Sequence, residues 1–423
     1  MVEPSGQDRV SLKGKTVYVP LMSEEGARLT AAAFRSCGVD GRACPESDAR
    51  SQELAARHLV GEECYPAQVT LGSFLKVIES PGFDPERTGF FMPSSEGPCR
   101  FGQYATLFKK IFRDLGHHDV LILSPSSRYG YQETRELGVS FERTAWRALV
   151  AADILRKLRL MTRPYEAVAG TTDRLVDEAL SDCEAVLSRE DLNHGQRLKA
   201  LVAAMTSARD KLRGVERRRE DRPLIGVVGE IFCRLNEFSN GYVLRKVEAF
   251  GGEAWLSDIT EWIHYTRFFR QDLAKELGGQ GGARLVKMKL SSFIQKNDEK
   301  ALQAPFKADF AGREEPHDLA EFLDLAEPYL PYRGSLGEMT LSVAKAVYLH
   351  GKGVDAILDI SPFTCMNGIV SEAIYPRLSR EHDEIPIRNL YFDGTETKLD
   401  RDLGMFLDLA RAYRRRRRLA VGA

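Results

Sequence analysis

The chain has 423 residues, 43 % hydrophobic and 29 % charged, with a formal net charge of −1 at pH 7. That length supports two or three domains with sizeable cores, and so balanced a charge excludes a global field directed at nucleic acid or an acidic membrane. No apolar run reaches membrane-spanning length, and Met1 to Lys15 lacks the apolar region of a secretory signal, so a cytoplasmic protein is expected.

In chain order, Thr16 to Leu21 reads as a first strand and Glu25 to Cys37 as a helix stopping at Gly38. A short strand near Gly41 to Cys44 and a helix near Ser51 to Leu59 follow. Gly61 to Pro66 opens a helix through Ile78. Thr88 to Pro93 is a strand, and the turn Ser94 to Gly102 opens a helix through Leu115. Asp119 to Ser124 is a fourth strand. His117 and His118 fall in the loop before it. Alternating strands and helices imply a parallel sheet covered by helices.

From about Ser140 to Arg219 the strand signal vanishes and long amphipathic helices appear, such as Arg143 to Leu158 and Thr171 to Ser188. A second unit starts at Pro223 to Glu230. Gly241 to Phe250 is helical, and Ala254 to Leu256 is a short strand. Gly278 to Gly282 breaks two helices; it lacks the strand and the Lys-Ser/Thr ending of a phosphate loop and reads as a turn. Thr340 to Leu349 is a helix, and Val354 to Ile360 is an apolar run typical of a buried parallel strand. Ile369 to Tyr375 is helical, with Pro376 expected to stop or kink it. Ile385 to Phe392 is a last strand and Leu399 to Tyr413 a last helix. Arg414 to Arg418 reads as a solvated helix end. The predicted architecture is α/β with two Rossmann-like parallel-sheet domains and additional helices: 1–139 and 223–423 as the sheet domains, 140–222 as the helical connection.

The cysteines are 37, 44, 64, 99, 183, 233 and 365. Seven, an odd number, argues against a disulfide framework. Cys64, Cys99 and Cys365 share one context. Each precedes a helix, with proline nearby at 66, 98 and 362, and the latter two follow a strand. A helix amino terminus favours thiolate over thiol, and the carboxyl edge of a parallel sheet is where ligands bind. The separations, 35 (99 − 64) and 266 (365 − 99), lack the short paired spacing of a zinc ribbon. They fit a site assembled between two domains. Three thiolates would leave one iron of a 4Fe-4S cube without a cysteine, and such an iron is a Lewis acid. The alternative is three small buried side chains at tight turns. No Walker loop, G-x-S-x-G elbow or H-E-x-x-H helix is present.

Four motifs occur in order: Glu63-Cys64-Tyr65-Pro66-Ala67-Gln68; Gly97-Pro98-Cys99-Arg100-Phe101-Gly102-Gln103-Tyr104; Gly229-Glu230-Ile231-Phe232-Cys233-Arg234 with Asn240 downstream; and Pro362-Phe363-Thr364-Cys365-Met366-Asn367-Gly368. Together they resemble the D-component-like subunits of 2-hydroxyacyl-CoA dehydratases and benzoyl-CoA reductases, most of all the activase-associated group related to double-cubane proteins. The resemblance spans roughly Leu12 to Arg414. It implies an iron–sulfur cluster, 4Fe-4S or double-cubane, held between the domains by Cys64, Cys99 and Cys365. It also implies an ATP-dependent activase as electron donor, pairing as a homodimer or with a related subunit, and an acyl-CoA or other small molecule as substrate. Family members dehydrate 2-hydroxyacyl-CoA through a ketyl radical, reduce benzoyl-CoA or reduce small molecules. Neither nucleic acid nor membrane is an expected partner. Glu230, Arg234 and Asn240 follow a strand end and are the candidate catalytic residues: a proton carrier, an anion partner and a hydrogen-bond donor. A capping and salt-bridge network is the structural alternative for these three. Arg100 would offset cluster charge or face solvent, and Cys233 is read as a core residue. Two other readings of the whole chain are a non-catalytic scaffold or regulatory partner of an activase, and a zinc protein using the same cysteines.

Overall fold

The computed structural model describes residues 12–95, 97, 99–126, 137–276, 282–316, 318–334, 337–395 and 398–421. The apolar runs assemble into two sheets of four strands. The first contains β1 (Thr16–Val19), β2 (Asp40–Ala43), β3 (Thr88–Phe91) and β4 (Leu121–Leu123), in the order β2-β1-β3-β4. The second contains β5 (Leu224–Gly229), β6 (Glu253–Leu256), β7 (Ala356–Pro362) and β8 (Ile387–Phe392), and repeats that order as β6-β5-β7-β8. Every neighbouring pair is parallel. The fold is α/β with two Rossmann-like units, and in each the strand order reverses direction beside the first strand.

In the first unit α1 (Glu24–Arg35) follows β1, α2 (Ala49–Ala56) and α3 (Tyr65–Ile78) lead into β3, and α4 (Tyr104–Asp114) leads to β4. The Ser23 hydroxyl starts α1 by accepting the Gly26 N–H at 3.0 Å. The helical layer follows as α5 (Gly138–Thr162), α6 (Thr171–Leu187) and α7 (His194–Arg213). The second unit has α8 (Ile231–Leu235) and α9 (Val243–Ala249) after β5. Its long crossover from β6 to β7 carries α10 (Ile259–Glu276), α11 (Gly282–Gln303), α12 (Leu319–Asp324) and α13 (Glu338–Gly351). It closes with α14 (Met366–Glu381) and α15 (Leu399–Val421). Of the glycine-rich stretch 278–282, only Gly282 lies among the described residues. No helix among those residues is long and apolar enough to cross a membrane.

Each sheet is covered on both faces. Phe34 of α1 and Phe141 of α5 cover one side of the first sheet, and Phe74, Phe108 and Phe112 of α3 and α4 the other. The helical layer buries its own core, shared with Leu29 of α1 and Leu302 of α11. Tyr65 and Val69 of α3 and Leu160 of α5 join the core beneath β5 and β7. Helices α3 and α5 thus contribute to the cores of both sheets, and the Asn236 amide adds a hydrogen bond to the Leu21 carbonyl at 2.7 Å.

Two expectations are corrected. Helix α14 does not end at Pro376 but runs through it to Glu381. Pro376 and Glu372 both lie on the solvent face, where water takes the hydrogen bond that the proline cannot donate. Arg414 to Arg418 is not merely a solvated end: Arg414 and Arg417 reach the buried Asp355 carboxylate at 2.8 and 3.0 Å, and Arg418 pairs with Asp221 at 2.6 Å.

Candidate functional site

Residues that follow β1, β3, β4, β5 and β7 line one cavity of about 460 Å³. The carboxyl edges of both sheets therefore open onto the same space. Cys64, Cys99 and Cys365 all line it, so the structure brings the three together from 301 residues of chain (365 − 64).

Each thiol sits at the amino end of a helical segment. Cys64 precedes α3, Cys99 precedes a single 3-10 turn that runs into α4, and Cys365 precedes α14. None uses its side chain to cap that helix. Extended backbone at all three (φ −67°, −70° and −67°) turns the chain sharply into the helix. Thr364 holds a φ of +60°, left-handed and uncommon for a β-branched residue. The strain is supported by Arg100, whose Nη2 donates to both the carbonyl oxygen and the hydroxyl of Thr364 at 2.9 Å. Its Nη1 donates to the Glu62 carbonyl at 2.6 Å. Arg100 is exposed, as one reading of the sequence had it, yet it ties all three cysteine turns together.

Burial pushes each thiol up: Cys99 to about 12, and Cys64 and Cys365 also upward. Carboxylates at Glu230 and Glu338 add to the rise. Against this, the Tyr104 hydroxyl donates to Cys64 Sγ at 3.1 Å. The helix ends do not overcome desolvation, so the bare site holds thiols at neutral pH. A bound metal inverts that balance by deprotonating its ligands.

Behind the sulfurs stand two carboxyl groups. Gly229 ends β5 with a φ of +113°, and a Cβ there would lie 2.2 Å from the Ile360 carbonyl oxygen of β7. Only glycine lets the chain turn here. The turn delivers Glu230, whose two oxygens accept the Phe232 and Cys233 N–H groups at 3.0 and 2.7 Å. Glu338, the first residue of α13, accepts the Ile231 N–H at Oε1 at 2.8 Å. Burial, with the nearby Glu230 charge, raises the Glu338 carboxyl to about 8. Asn367 Oδ1 is buried in the same wall without a hydrogen-bond partner.

Of the three predicted catalytic residues, Glu230 lines the cavity, while Arg234 and Asn240 do not. The Arg234 guanidinium is buried and donates to the Gly229 carbonyl at 2.5 Å. The Asn240 amide donates to the Cys233 carbonyl at 2.9 Å and its oxygen accepts the Val243 N–H at 3.1 Å. Both brace the turn that presents Glu230. Cys233 is fully buried in the core under β5. Sequence reasoning did not single out Glu338 or Tyr104. Tyr104 stood inside a quoted motif; for Glu338 the available signal was an acidic residue opening the helix before the second unit's central strand.

Among the described residues, no three His, Cys, Asp or Glu side chains converge closely enough to hold one metal ion. A multi-iron cluster spreads its ligands over a larger body. The donor set suits such a cluster: three thiols from three separate turns on one cavity wall, with an unpartnered amide oxygen beside them. No protein-family model matches the chain, and no curated protein is similar to it.

Proposed function

We propose that this chain is an iron–sulfur protein of the 2-hydroxyacyl-CoA dehydratase and benzoyl-CoA reductase type, with a cluster held by Cys64, Cys99 and Cys365 between its two units. The observation that carries the reading is that three cysteines from distant turns, in the same local context, line one cavity. In this reading an ATP-dependent activase supplies low-potential electrons, and the chain pairs with itself or with a related subunit in the cytoplasm. When bound, the cluster would supply one-electron chemistry and, at an iron without a cysteine, a Lewis acid.

The remaining work falls to the protein's own groups. Tyr104 donates to Cys64 and stabilises its charged form. Arg100 fixes the three turns relative to one another. Glu338 and Glu230, two buried carboxyl groups with raised affinity for a proton, stand together as candidate proton carriers.

Anaerobic purification with iron and sulfide analysis tests the reading. The expected result is a brown protein with about four irons per chain, and loss of iron in each of Cys64→Ala, Cys99→Ala and Cys365→Ala. A protein that stays colourless after anaerobic reconstitution, or that takes up zinc instead, overturns it.

A further inference from the structure

Most polar groups around the three thiols already have partners within the chain. Glu230 and Glu338 accept backbone N–H groups, Tyr104 donates to Cys64, and Arg100 donates to Glu62 and Thr364. Asn367 differs. It is the second residue of α14, two positions past Cys365, and is 5 % exposed. Its backbone carbonyl accepts the Ser371 hydroxyl at 3.0 Å, yet its carboxamide oxygen is enclosed without a partner. That oxygen lies against Gly337, where an added Cβ would stand 2.4 Å from it. The Gly337 N–H does not serve it, being donated to the Tyr265 hydroxyl at 3.2 Å.

A carboxamide directs its oxygen and its nitrogen to opposite sides. Nδ2 is therefore turned from the Gly337 wall, on a residue that lines the cavity with Cys64, Cys99 and Cys365. Among the described residues no acceptor takes its N–H groups. A buried amide without partners lowers stability, and an apolar side chain of the same size would fill this place without that cost. The surroundings suit an anion's partner. Cys365 leaves α14 without a side-chain cap, so the first N–H groups of this 16-residue helix lie beside the same thiol. They carry the positive end of the helix dipole. Donors here offset Glu230 and Glu338, whose carboxyl groups in the same cavity disfavour added negative charge.

Resting on the proposed function, we infer that Asn367 Nδ2, with the amino end of α14, donates to a sulfur of the cluster held by Cys64, Cys99 and Cys365 and raises its reduction potential. Hydrogen bonds to sulfur are among the levers that set such potentials. An added electron makes the sulfurs better acceptors, so the bond favours the reduced state over the oxidised one. The three thiolates hold the iron, so Asn367 tunes the cluster without being needed to retain it.

Anaerobically reconstituted full-length protein, titrated with Ti(III) citrate and followed by electron paramagnetic resonance, tests this. In Asn367→Leu, close in size but without the amide, iron per chain should match the wild type. The reduced-to-oxidised ratio at a fixed potential should fall at least threefold, about 28 mV for a one-electron step. Altered packing alone also moves a potential, so a second readout addresses the bond itself. Wild type carrying 15N in its asparagine side-chain amides should show a 15N hyperfine coupling in pulsed resonance of the reduced cluster. Asn367 is the asparagine that lines the cavity, and Asn367→Leu should lack the coupling. If the leucine variant holds less iron, Asn367→Ala replaces it, and the labelled wild type reads the bond without any variant. A fall below threefold, a shift to higher potential, or a brown wild type without the 15N coupling overturns this inference and leaves the proposed function standing. A wild type that takes up no iron overturns both.

Discussion

Asp359 shows how a single residue can hide inside a legible element. It stands in β7, wholly buried, accepting the Tyr375 hydroxyl at 2.6 Å and the Ser361 hydroxyl at 2.9 Å. Burial outweighs those hydrogen bonds and lifts its carboxyl to about 6. For an acid with a raised pKa, the folded state binds the proton more tightly than the unfolded state. The associated stability is present below the unfolded value near 4 and is lost as pH rises to about 6. Asp359→Asn removes that dependence. Urea unfolding of the wild type and the variant should therefore diverge by about 2 kcal/mol between pH 4 and pH 7, in favour of the variant. A difference that does not change with pH would contradict the assignment. In sequence, Asp359 interrupts an apolar run without weakening the strand reading, because its partners are Ser361, two residues on in the same strand, and Tyr375, in the helix that follows. Glu338 was equally hidden. Its partner, the Ile231 N–H, is 107 residues away, and no local pattern encodes that meeting.

Elements were far easier to read than their junctions. Among the described residues, the central strands β5 and β7 fall where apolar runs lie between turn residues, since a strand buried on both faces must be apolar almost throughout; the edge strand β2, Asp-Gly-Arg-Ala, is not such a run. Helix ends were set by neighbours instead, as the passage of α14 through Pro376 shows. The placing of Cys64 depends on such a neighbour contact. Gly72 of α3 meets α2 so closely that a Cβ would fall 1.9 Å from the Ser51 carbonyl oxygen. Gly72→Ala must therefore push α3 off α2, at a cost of about 1–3 kcal/mol. Because Cys64 begins α3, the same substitution should lower iron retention. Urea unfolding and iron analysis read the two effects. Unchanged stability would mean that the helices separate freely, and that Cys64 is not held by this contact.

At the scale of the whole molecule, the last helix closes the second sheet. Asp355 precedes β7, is buried, and accepts the Leu224 N–H at 2.9 Å as well as Arg414 and Arg417. Ending the chain after Tyr413 leaves that carboxylate without either cation. A buried charge stripped of its partner costs about 3–5 kcal/mol, so urea unfolding of the truncated chain should show a loss of that size. A loss below about 1 kcal/mol would return the tail to the solvated helix end that its composition suggests. The arginines were visible in sequence, but Asp221 and Asp355, their carboxylate partners, lie more than fifty residues away. The repeat of one strand order in both units has a further consequence. Cys99 and Cys365 each follow the third strand of their unit. Cys64 opens the helix that leads into the third strand, and in the second unit that place belongs to Gly337, at the start of α13. A Cβ on Gly337 would lie 2.4 Å from Asn367 Oδ1. The repeat in connectivity is thus broken at one place, where a side chain would have to displace the Asn367 amide. Three of the four equivalent places in the repeat therefore carry sulfur, and the fourth carries a glycine followed by the buried carboxyl group of Glu338, so the two units make unequal contributions to the cavity they share.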